Sequence, residues 1–318
     1  MSILSFLLAL LSGGFNGSYT YYLNRSKNIH LSWIAFGFLS FLLIPLIIFF
    51  ISVITHNIFL STRGISICLI VGLLFGSGMF LFSRAVGLIG VGIPFAINIS
   101  LGTLSGGLFS SIVHKNISMI DPVTFLSYGL FMISIILCAV SLSLRENKNH
   151  KKTWGLGLFY ALLSGVLCSF QGGAIGYFSD EIMPFSHHFF ALIVPWVLIF
   201  LSCAFVFILG HAINYKKDQS KPIKETVNYR QPIKIGVLMC AFYMASIFIY
   251  NLATKLNTQF SAKYSWVIFM AMIIIASTAV AYLNKEWKNK STLSISVNLF
   301  AILLIIISVG LLAYAALS

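Results

Sequence analysis

Long apolar runs separated by short polar segments fill almost the whole sequence, and ten of them can be placed between clusters of charged and turn-forming residues. About 20 consecutive apolar residues are enough to cross the hydrocarbon core of a bilayer as a helix. Of the 318 residues, 59% are hydrophobic and only 8% are charged, whereas soluble domains carry about 25% charged residues. This composition excludes a soluble globular domain.

Backbone groups inside lipid must find their hydrogen-bond partners within the same helix or in a closed barrel. Because no alternating strand pattern competes with the apolar runs, the sequence predicts an all-α membrane protein with ten transmembrane helices. The predicted helices are Ser2 to Tyr22, Leu31 to Thr55, Gly64 to Phe82, Gly87 to Val113, Pro122 to Leu142, Trp154 to Phe178, His187 to Ile213, Ile235 to Thr254, Tyr264 to Leu283 and Thr292 to Leu317.

The basic residues are unevenly distributed among the predicted loops. The net charge is +13, and of the 20 Lys and Arg residues sixteen fall in odd-numbered loops and four in even-numbered loops. Because Lys and Arg accumulate in cytoplasmic loops, we predict that the odd-numbered loops are cytoplasmic and that both termini lie outside. The expected setting is a bacterial plasma (inner) membrane, with lipid as a partner and without nucleic acid.

Two segments of the first half recur in the second half. Ala9–Gly13, with the sequence ALLSG, recurs unchanged as Ala161–Gly165, at an offset of 152 residues. Leu43–Pro45 is echoed by Ile193–Pro195, at an offset of 150 residues. Because two matches at nearly equal offsets fall in consecutive predicted helices, we interpret the chain as an internal repeat.

The repeat predicts a 5+5 architecture with a first five-helix repeat over residues 1–143, a cytoplasmic linker over 144–153 and a second five-helix repeat over 154–318. A unit with an odd number of crossings places its second copy in the membrane in the opposite orientation. Inverted halves can exchange conformations around a shared central site, which is a physical route to alternating access. The pattern therefore favours a secondary carrier over a channel or a receptor.

Four short segments carry a resemblance to a known family. They are Gly76–Gly78 leading to Ser83–Gly87, the glycines Gly90, Gly92 and Gly102, the pair Ser265 and Trp266, and Lys285–Trp287. With the 5+5 plan, these segments resemble the L-rhamnose/proton symporter family of the drug/metabolite transporter superfamily. The resemblance implies transport of a small polar metabolite, foremost a sugar such as L-rhamnose, together with protons.

Polar side chains deep in the predicted helices are costly in lipid and tend to face the bundle interior or a wet cavity. Amides donate and accept hydrogen bonds to hydroxyl groups, and aromatic rings can cover the apolar face of a sugar. For each residue the alternative is an interhelical hydrogen bond or an interfacial anchor. The predicted substrate-binding residues are Asn16, Tyr19, Asn98, Ser105, Gln171, Tyr243, Tyr250, Asn251 and Trp266.

Proton coupling has no obvious carrier in this sequence, since all seven acidic residues fall in loops or at the ends of the predicted helices. His187 and His188, near Asp180 and Glu181 at the outer face, are the candidates that titrate near physiological pH. We treat H⁺ as a hypothetical partner on this basis. Interfacial histidines without a role in coupling are the alternative.

Three further basic residues are candidates for gating or coupling. Arg84 is predicted in a tight cytoplasmic loop between the third and fourth helices, with a structural or a gating role. Lys255 and Lys263 flank an outer loop, where they would attract an anionic metabolite or simply extend to the interface.

Two alternatives stay open from the sequence. Within transport, the chain could be an exporter or facilitator of an amino acid, an anionic metabolite or an amphipathic drug. A membrane-embedded transferase is the alternative of another class, but it needs paired acids for a metal or a His and acid set in the membrane. Because neither motif is present, we predict that the protein is not an enzyme and uses no cofactor or metal. Monomer and homodimer are both compatible with the sequence.

Overall fold

The computed structural model describes residues 3–55, 61–92, 94–99, 101–102, 122–145, 151–177, 189–219, 229–256 and 266–317. Within these ranges the regular secondary structure is entirely helical, which confirms the all-α prediction for this part of the chain. The helices are α1 (Ile3–Ser18), α2 (Ile29–Ile54), α3 (Thr62–Ile89), α4 (94–99), α5 (Pro122–Arg145), α6 (Lys151–Tyr177), α7 (Phe189–Gln219), α8 (Arg230–Leu256), α9 (Trp266–Leu283) and α10 (Thr292–Leu317).

Six of these helices are long and apolar enough to cross a membrane. Their apolar spans are Ile29–Ile54, Thr62–Ile89, Trp154–Gln171, Ile193–Lys216, Arg230–Leu256 and Thr292–Leu311. The chain is therefore a multi-pass helical membrane protein, while the full number of ten crossings stays a prediction. α5 continues to Arg145 and α6 begins at Lys151, so helix occupies both ends of the predicted linker.

α2 changes its winding in the middle. Residues Phe38–Leu43 form a π-helical segment directly before Ile44 and Pro45. Proline has no N–H to donate to the carbonyl four residues earlier, and its ring clashes with that carbonyl. A wider turn ahead of Pro45 relieves this clash.

The predicted cytoplasmic loop around Arg84 is wrong. α3 continues without a break from Thr62 to Ile89 and ends at Gly90, whose φ of 84° is favourable for glycine. Ser83 suits the helix because its hydroxyl donates to the Phe80 carbonyl one turn earlier. Arg84 is consequently a half-buried helical residue and not a loop residue.

Contacts between helices fix their relative directions. α1 is antiparallel to α8, α8 is parallel to α2, α2 is antiparallel to α7, α7 is parallel to α3, and α3 is antiparallel to α6. Through this chain of neighbours, α6 runs opposite to α1. α1 and α8 meet at Ser12 with Ser246 and at Tyr19 with Tyr243, and α8 and α2 meet at Pro232 with Ser32 and at Tyr243 with Phe41. α2 and α7 meet at His30 with His211 and at Phe41 with Phe200, and α7 and α3 meet at Ser202 with Gly72 and at His211 with Ser83. α3 and α6 meet at Gly78 with Cys168 and at Ile89 with Gly157.

One end of the bundle, which we call the basic end, is where α1, α3 and α7 finish and α2, α6 and α8 begin. Several polar contacts tie the helices together there. The Lys27 backbone N–H donates to Gln231 Oε1 at 3.1 Å, and Gln231 Nε2 donates to the Arg25 carbonyl. Asn284 Nδ2 donates to the Tyr21 carbonyl at 3.3 Å. These bonds hold the start of α2 and the end of α1 against α8 and α9.

α5 and α10 pack antiparallel along a seam of small residues. The hydroxyls of Ser127 and Ser308 lie 2.9 Å apart, and each also donates to the other's backbone carbonyl. Fourteen residues further along α5, the Ser141 carbonyl accepts from the Ser294 hydroxyl. Ser294 and Ser308 of α10 follow Ser127 and Ser141 of α5 at the same offset of 167 residues. Exchanging the two helices therefore exchanges the pair Ser127–Ser308 with the pair Ser141–Ser294, so the seam is symmetric.

The seam leads to a crosslinking prediction. With Ser127→Cys and Ser308→Cys together, an oxidant should form a disulfide within one chain, because the two side-chain oxygens are already in contact. The measurement is a mobility shift on a denaturing gel that reductant reverses. In the control pair Ser127→Cys and Ser294→Cys, the two thiols are about 21 Å apart along the helix and should stay reduced. Equal crosslinking in both pairs would contradict the antiparallel register.

Candidate functional site

A cavity of about 60 Å³ lies between six helices, which are α1, α3 and α4 of the first half of the chain and α7, α8 and α9 of the second half. By the scale on which one water needs roughly 10–15 Å³, this space holds about five waters. Its polar lining residues are Asn16, Tyr19, Asn98 and Tyr243. The apolar lining residues are Phe75, Met79, Phe82, Phe95, Ile99, Trp196, Ile247, Phe269, Met270 and Ile273.

Asn16 is held in place by α8. Its Nδ2 donates to the Ser246 hydroxyl at 3.0 Å, and Ser12, one turn earlier, donates to the Ser246 carbonyl at 2.8 Å. The side chain is only 7% exposed, yet it reaches the cavity wall. Because one hydrogen of the amide is used by Ser246, the second hydrogen and the Oδ1 acceptor can serve a ligand.

Asn98 is the second amide of the cavity and is held by α6. Its Nδ2 donates to the Ser164 hydroxyl at 2.6 Å. Gly165 permits this approach, because a Cβ at that position would lie 3.3 Å from the Asn98 Cα. Two amides from different helices are thus fixed in orientation by serines of helices across the bundle.

Two tyrosines stand next to these amides. The Tyr19 ring stacks on Phe36 with centroids 5.3 Å apart and meets the Tyr243 ring edge-on at 5.5 Å. Tyr243 also contacts Phe41 and Phe200. These ring contacts bury both tyrosines and give the cavity a rigid aromatic wall.

Tyr250 and Trp266 belong to a layer adjoining the cavity. Their rings lie 5.9 Å apart, and both contact the lining residues Trp196 and Phe269. Trp266 Nε1 donates to the Gly102 carbonyl at 3.4 Å, which connects α9 to the chain after α4. The structure therefore brings these two predicted residues to the cavity's outer shell rather than to its lining.

Two other predicted residues lie away from the cavity lining. Asn251 is buried, and its Nδ2 donates to the Ile247 carbonyl of its own helix at 2.8 Å. Gln171 is also buried, and its Nε2 finds no hydrogen-bond partner among the described residues.

Lys255 is exposed in the last turn of α8. Ser105, His187, His188 and Lys263 fall outside the described residues.

The sequence interpretation missed a polar cluster near the basic end. His30 of α2 and His211 of α7 approach each other with their Nδ1 atoms 3.2 Å apart, and His211 Nε2 lies 2.8 Å from the Ser83 hydroxyl of α3. His211 is 1% exposed. Its position inside an apolar run was a usable signal, since an ionisable residue within a membrane span is by default a candidate functional residue.

Together, these observations define a multi-pass helical membrane protein whose helices enclose an aromatic cavity with two amides, and none of the lining residues that the structure describes carries a charge. Comparison with models of known protein families gives no match, and no curated protein matches the sequence.

Proposed function

We propose that the protein is a secondary transporter that moves a small neutral polar metabolite by alternating access, with a sugar such as L-rhamnose as the foremost substrate. The observation that carries the proposal is the cavity itself. Its lining residues come from α1, α3 and α4 of the first half of the chain and from α7, α8 and α9 of the second half, and it presents two oriented amides among aromatic rings.

The pattern of helix contacts supports an inverted five-helix repeat. If the two halves are exchanged, α1 takes the place of α6, α2 that of α7 and α3 that of α8. The α1–α8 contact then corresponds to the α6–α3 contact, and the α2–α8 contact corresponds to the α7–α3 contact. All four contacts are extensive. The α2–α7 and α5–α10 contacts transform into themselves, as expected for pairs at a twofold axis. The opposite directions of α1 and α6 support the inverted arrangement.

Gly13 and Gly165, which the ALLSG match makes equivalent, have equivalent surroundings. A Cβ at Gly13 would meet the Phe269 carbonyl of α9, and one at Gly165 would meet Leu101 and Asn98 at α4. Each glycine therefore lets its helix approach the fourth helix of the opposite half. This correspondence supports the offset of 152 between α1 and α6.

The lining favours a neutral substrate. Amides can pair with hydroxyl groups, and the rings of Trp196 and Phe269 can cover an apolar face. A charged substrate would enter without a counter-charge on the described walls, at a high desolvation cost. Since the cavity holds only about five waters, binding of a sugar requires the surrounding helices to move apart.

A second candidate is an exporter of amphipathic compounds. It is favoured by the large apolar share of the lining, including the flexible side chains of Met79 and Met270. Methionine adapts to ligands of different shape and is common at promiscuous binding surfaces.

The basic end supports the proposed orientation in a bacterial inner membrane. Arg25, Lys27 and Lys285 lie at this end, whereas Lys255 lies at the opposite one. By the positive-inside rule, the basic end faces the cytoplasm and the start of α1 lies outside.

Transport by purified protein in proteoliposomes tests the proposal. With unlabelled L-rhamnose inside, labelled L-rhamnose outside should enter transiently above its equilibrium level, because a carrier exchanges substrate across the membrane. Protein-free vesicles are the control. If labelled L-rhamnose enters no faster than into the control, while a cationic amphipathic dye is exchanged, the sugar proposal fails and the exporter is favoured. Absence of exchange for every compound, including amino acids, would refute the carrier.

A further inference from the structure

A pair of histidines, of which His211 is buried and His30 is half-buried, joins three helices near the basic end, and nothing in the proposed substrate site uses it. We infer that His30 and His211 form the proton-binding site through which transport is coupled to a proton gradient. The inference rests on the proposed transport function and adds the residues that bind the coupling proton.

The hydrogen bonds around the pair accommodate one added proton. The Ser83 hydroxyl donates its hydrogen to the Phe80 carbonyl at 2.6 Å, so it accepts from His211 Nε2. The two Nδ1 atoms, 3.2 Å apart, share one hydrogen. When one proton is added, one ring becomes an imidazolium that donates to the neutral ring, and both the bond between the rings and the bond to Ser83 are kept. A second proton would place two N–H groups against each other and break the pair.

The neighbouring charges favour the same stoichiometry. Arg84 of α3 and His30 of α2 are the groups whose charge acts on His211. At the same end, Arg25, Lys27 and Lys216 are exposed to solvent, where their charges are screened. Burial of the His211 ring and the positive charge of Arg84 both disfavour a charge on that ring, so the added proton resides on His30, which donates to the neutral His211. We therefore expect one proton to be carried for each substrate molecule.

One tryptophan connects the pair to the cavity. The Trp33 ring stacks on His211 with centroids 6.0 Å apart and planes inclined by 17°. On its other sides it contacts Tyr19 and Phe82, which line the cavity. Trp33 is completely buried, and its Nε1 has no hydrogen-bond partner among the described residues. Trp33 therefore contacts both the histidine pair and the cavity lining, so a movement at either site displaces the same side chain.

The position of the pair explains how protonation and conformational change are linked. His30 is half-buried at the start of α2, and His211 is buried near the end of α7. We expect opening of the basic end to separate α2 from α7, which would break the bond between the two rings. Because proton affinity then differs between the open and the closed conformation, proton binding and opening are thermodynamically linked.

The test compares exchange with accumulation in proteoliposomes, using labelled L-rhamnose. For wild-type protein, an acidic exterior should drive accumulation, and a pH-sensitive dye should report one proton entering per L-rhamnose. In His211→Gln and His30→Gln, exchange without a pH gradient should persist, whereas gradient-driven accumulation should fall by at least about tenfold, within the usual range of coupling. Persistent exchange also shows that the variants are folded.

The double variant His187→Gln and His188→Gln tests the competing pair from the sequence. It should accumulate L-rhamnose as wild type does. Undiminished accumulation in His211→Gln, or loss of accumulation only in the double variant, would overturn the inference. Failure of wild-type protein to exchange L-rhamnose would instead count against the proposed substrate.

A measurement on the purified protein decides the inference without any substrate. Proton binding by the pair changes the charge and the hydrogen bonding beside the Trp33 indole, so tryptophan emission should change when the pH is lowered. The change should disappear in His211→Gln and in Trp33→Phe but persist in the control Trp154→Phe. A titration that is flat in wild type, or unaltered in His211→Gln, would refute proton binding at the pair.

Discussion

Gly13→Ala is expected to destabilise the folded protein by about 2–3 kcal/mol, the upper part of the usual range for overpacking. A Cβ at this position would lie 2.5 Å from the Phe269 carbonyl oxygen and 2.6 Å from the Met272 Cβ. Neither atom can move without displacing the backbone of α9. Alanine is otherwise favoured over glycine in helices by about 1 kcal/mol, so the loss reports the close approach of α1 and α9.

The adjacent glycine is the matched control. A Cβ at Gly14 would meet nothing within 4 Å, so Gly14→Ala should leave stability unchanged or raise it slightly. The measurement is the temperature at which the monodisperse peak is lost in size-exclusion chromatography of detergent-solubilised protein. Equal behaviour of the two variants would contradict the packing of α1 against α9.

Asn98→Leu is expected to lower the transport rate at low substrate concentration about tenfold, and Asn16→Leu by a similar factor. Each loses a hydrogen bond to the substrate worth about 1 kcal/mol or somewhat more. Because the two amides line the same cavity, the double variant should lose more transport than either single variant. Initial uptake rates in proteoliposomes, normalised to folded protein, measure the effect.

Asn298→Leu separates loss of a ligand contact from loss of a buried amide. Asn298 is also buried, and it donates to the Ser141 hydroxyl at 3.3 Å, but it does not line the cavity. The Asn298→Leu substitution should lower the stability of the protein without changing the transport rate per folded molecule. A comparable loss of transport in Asn298→Leu, with none in Asn98→Leu, would move the substrate site away from the cavity.

The sequence predicted several site residues for a sound physical reason. Asn16, Tyr19, Asn98 and Tyr243 are polar groups within apolar runs, and burial in a bundle leaves such groups few positions except interior ones. All four line the cavity. Asn251 followed the same reasoning but bonds to its own helix, because an amide can satisfy itself one turn away.

Other features depend on partners that are remote in the chain. The sequence predicts a loop at Arg84 because this residue interrupts an apolar run, yet α3 continues through it. The Ser83 hydroxyl donates to the Phe80 carbonyl of the same helix and contacts His211 Nε2 of α7. His30 and His211 are 181 residues apart, and nothing in their local sequence indicates that they meet.

The sequence by itself determined that the chain is helical and belongs in a membrane, because hydropathy and the hydrogen-bonding demands of lipid act on each segment locally. Only the tertiary structure decided which polar groups share the cavity, where α3 ends and which histidines pair. Those outcomes depend on how helices from both ends of the chain approach one another. The glycines that permit the approach, such as Gly13 and Gly165, do not indicate in the sequence which residues they will contact.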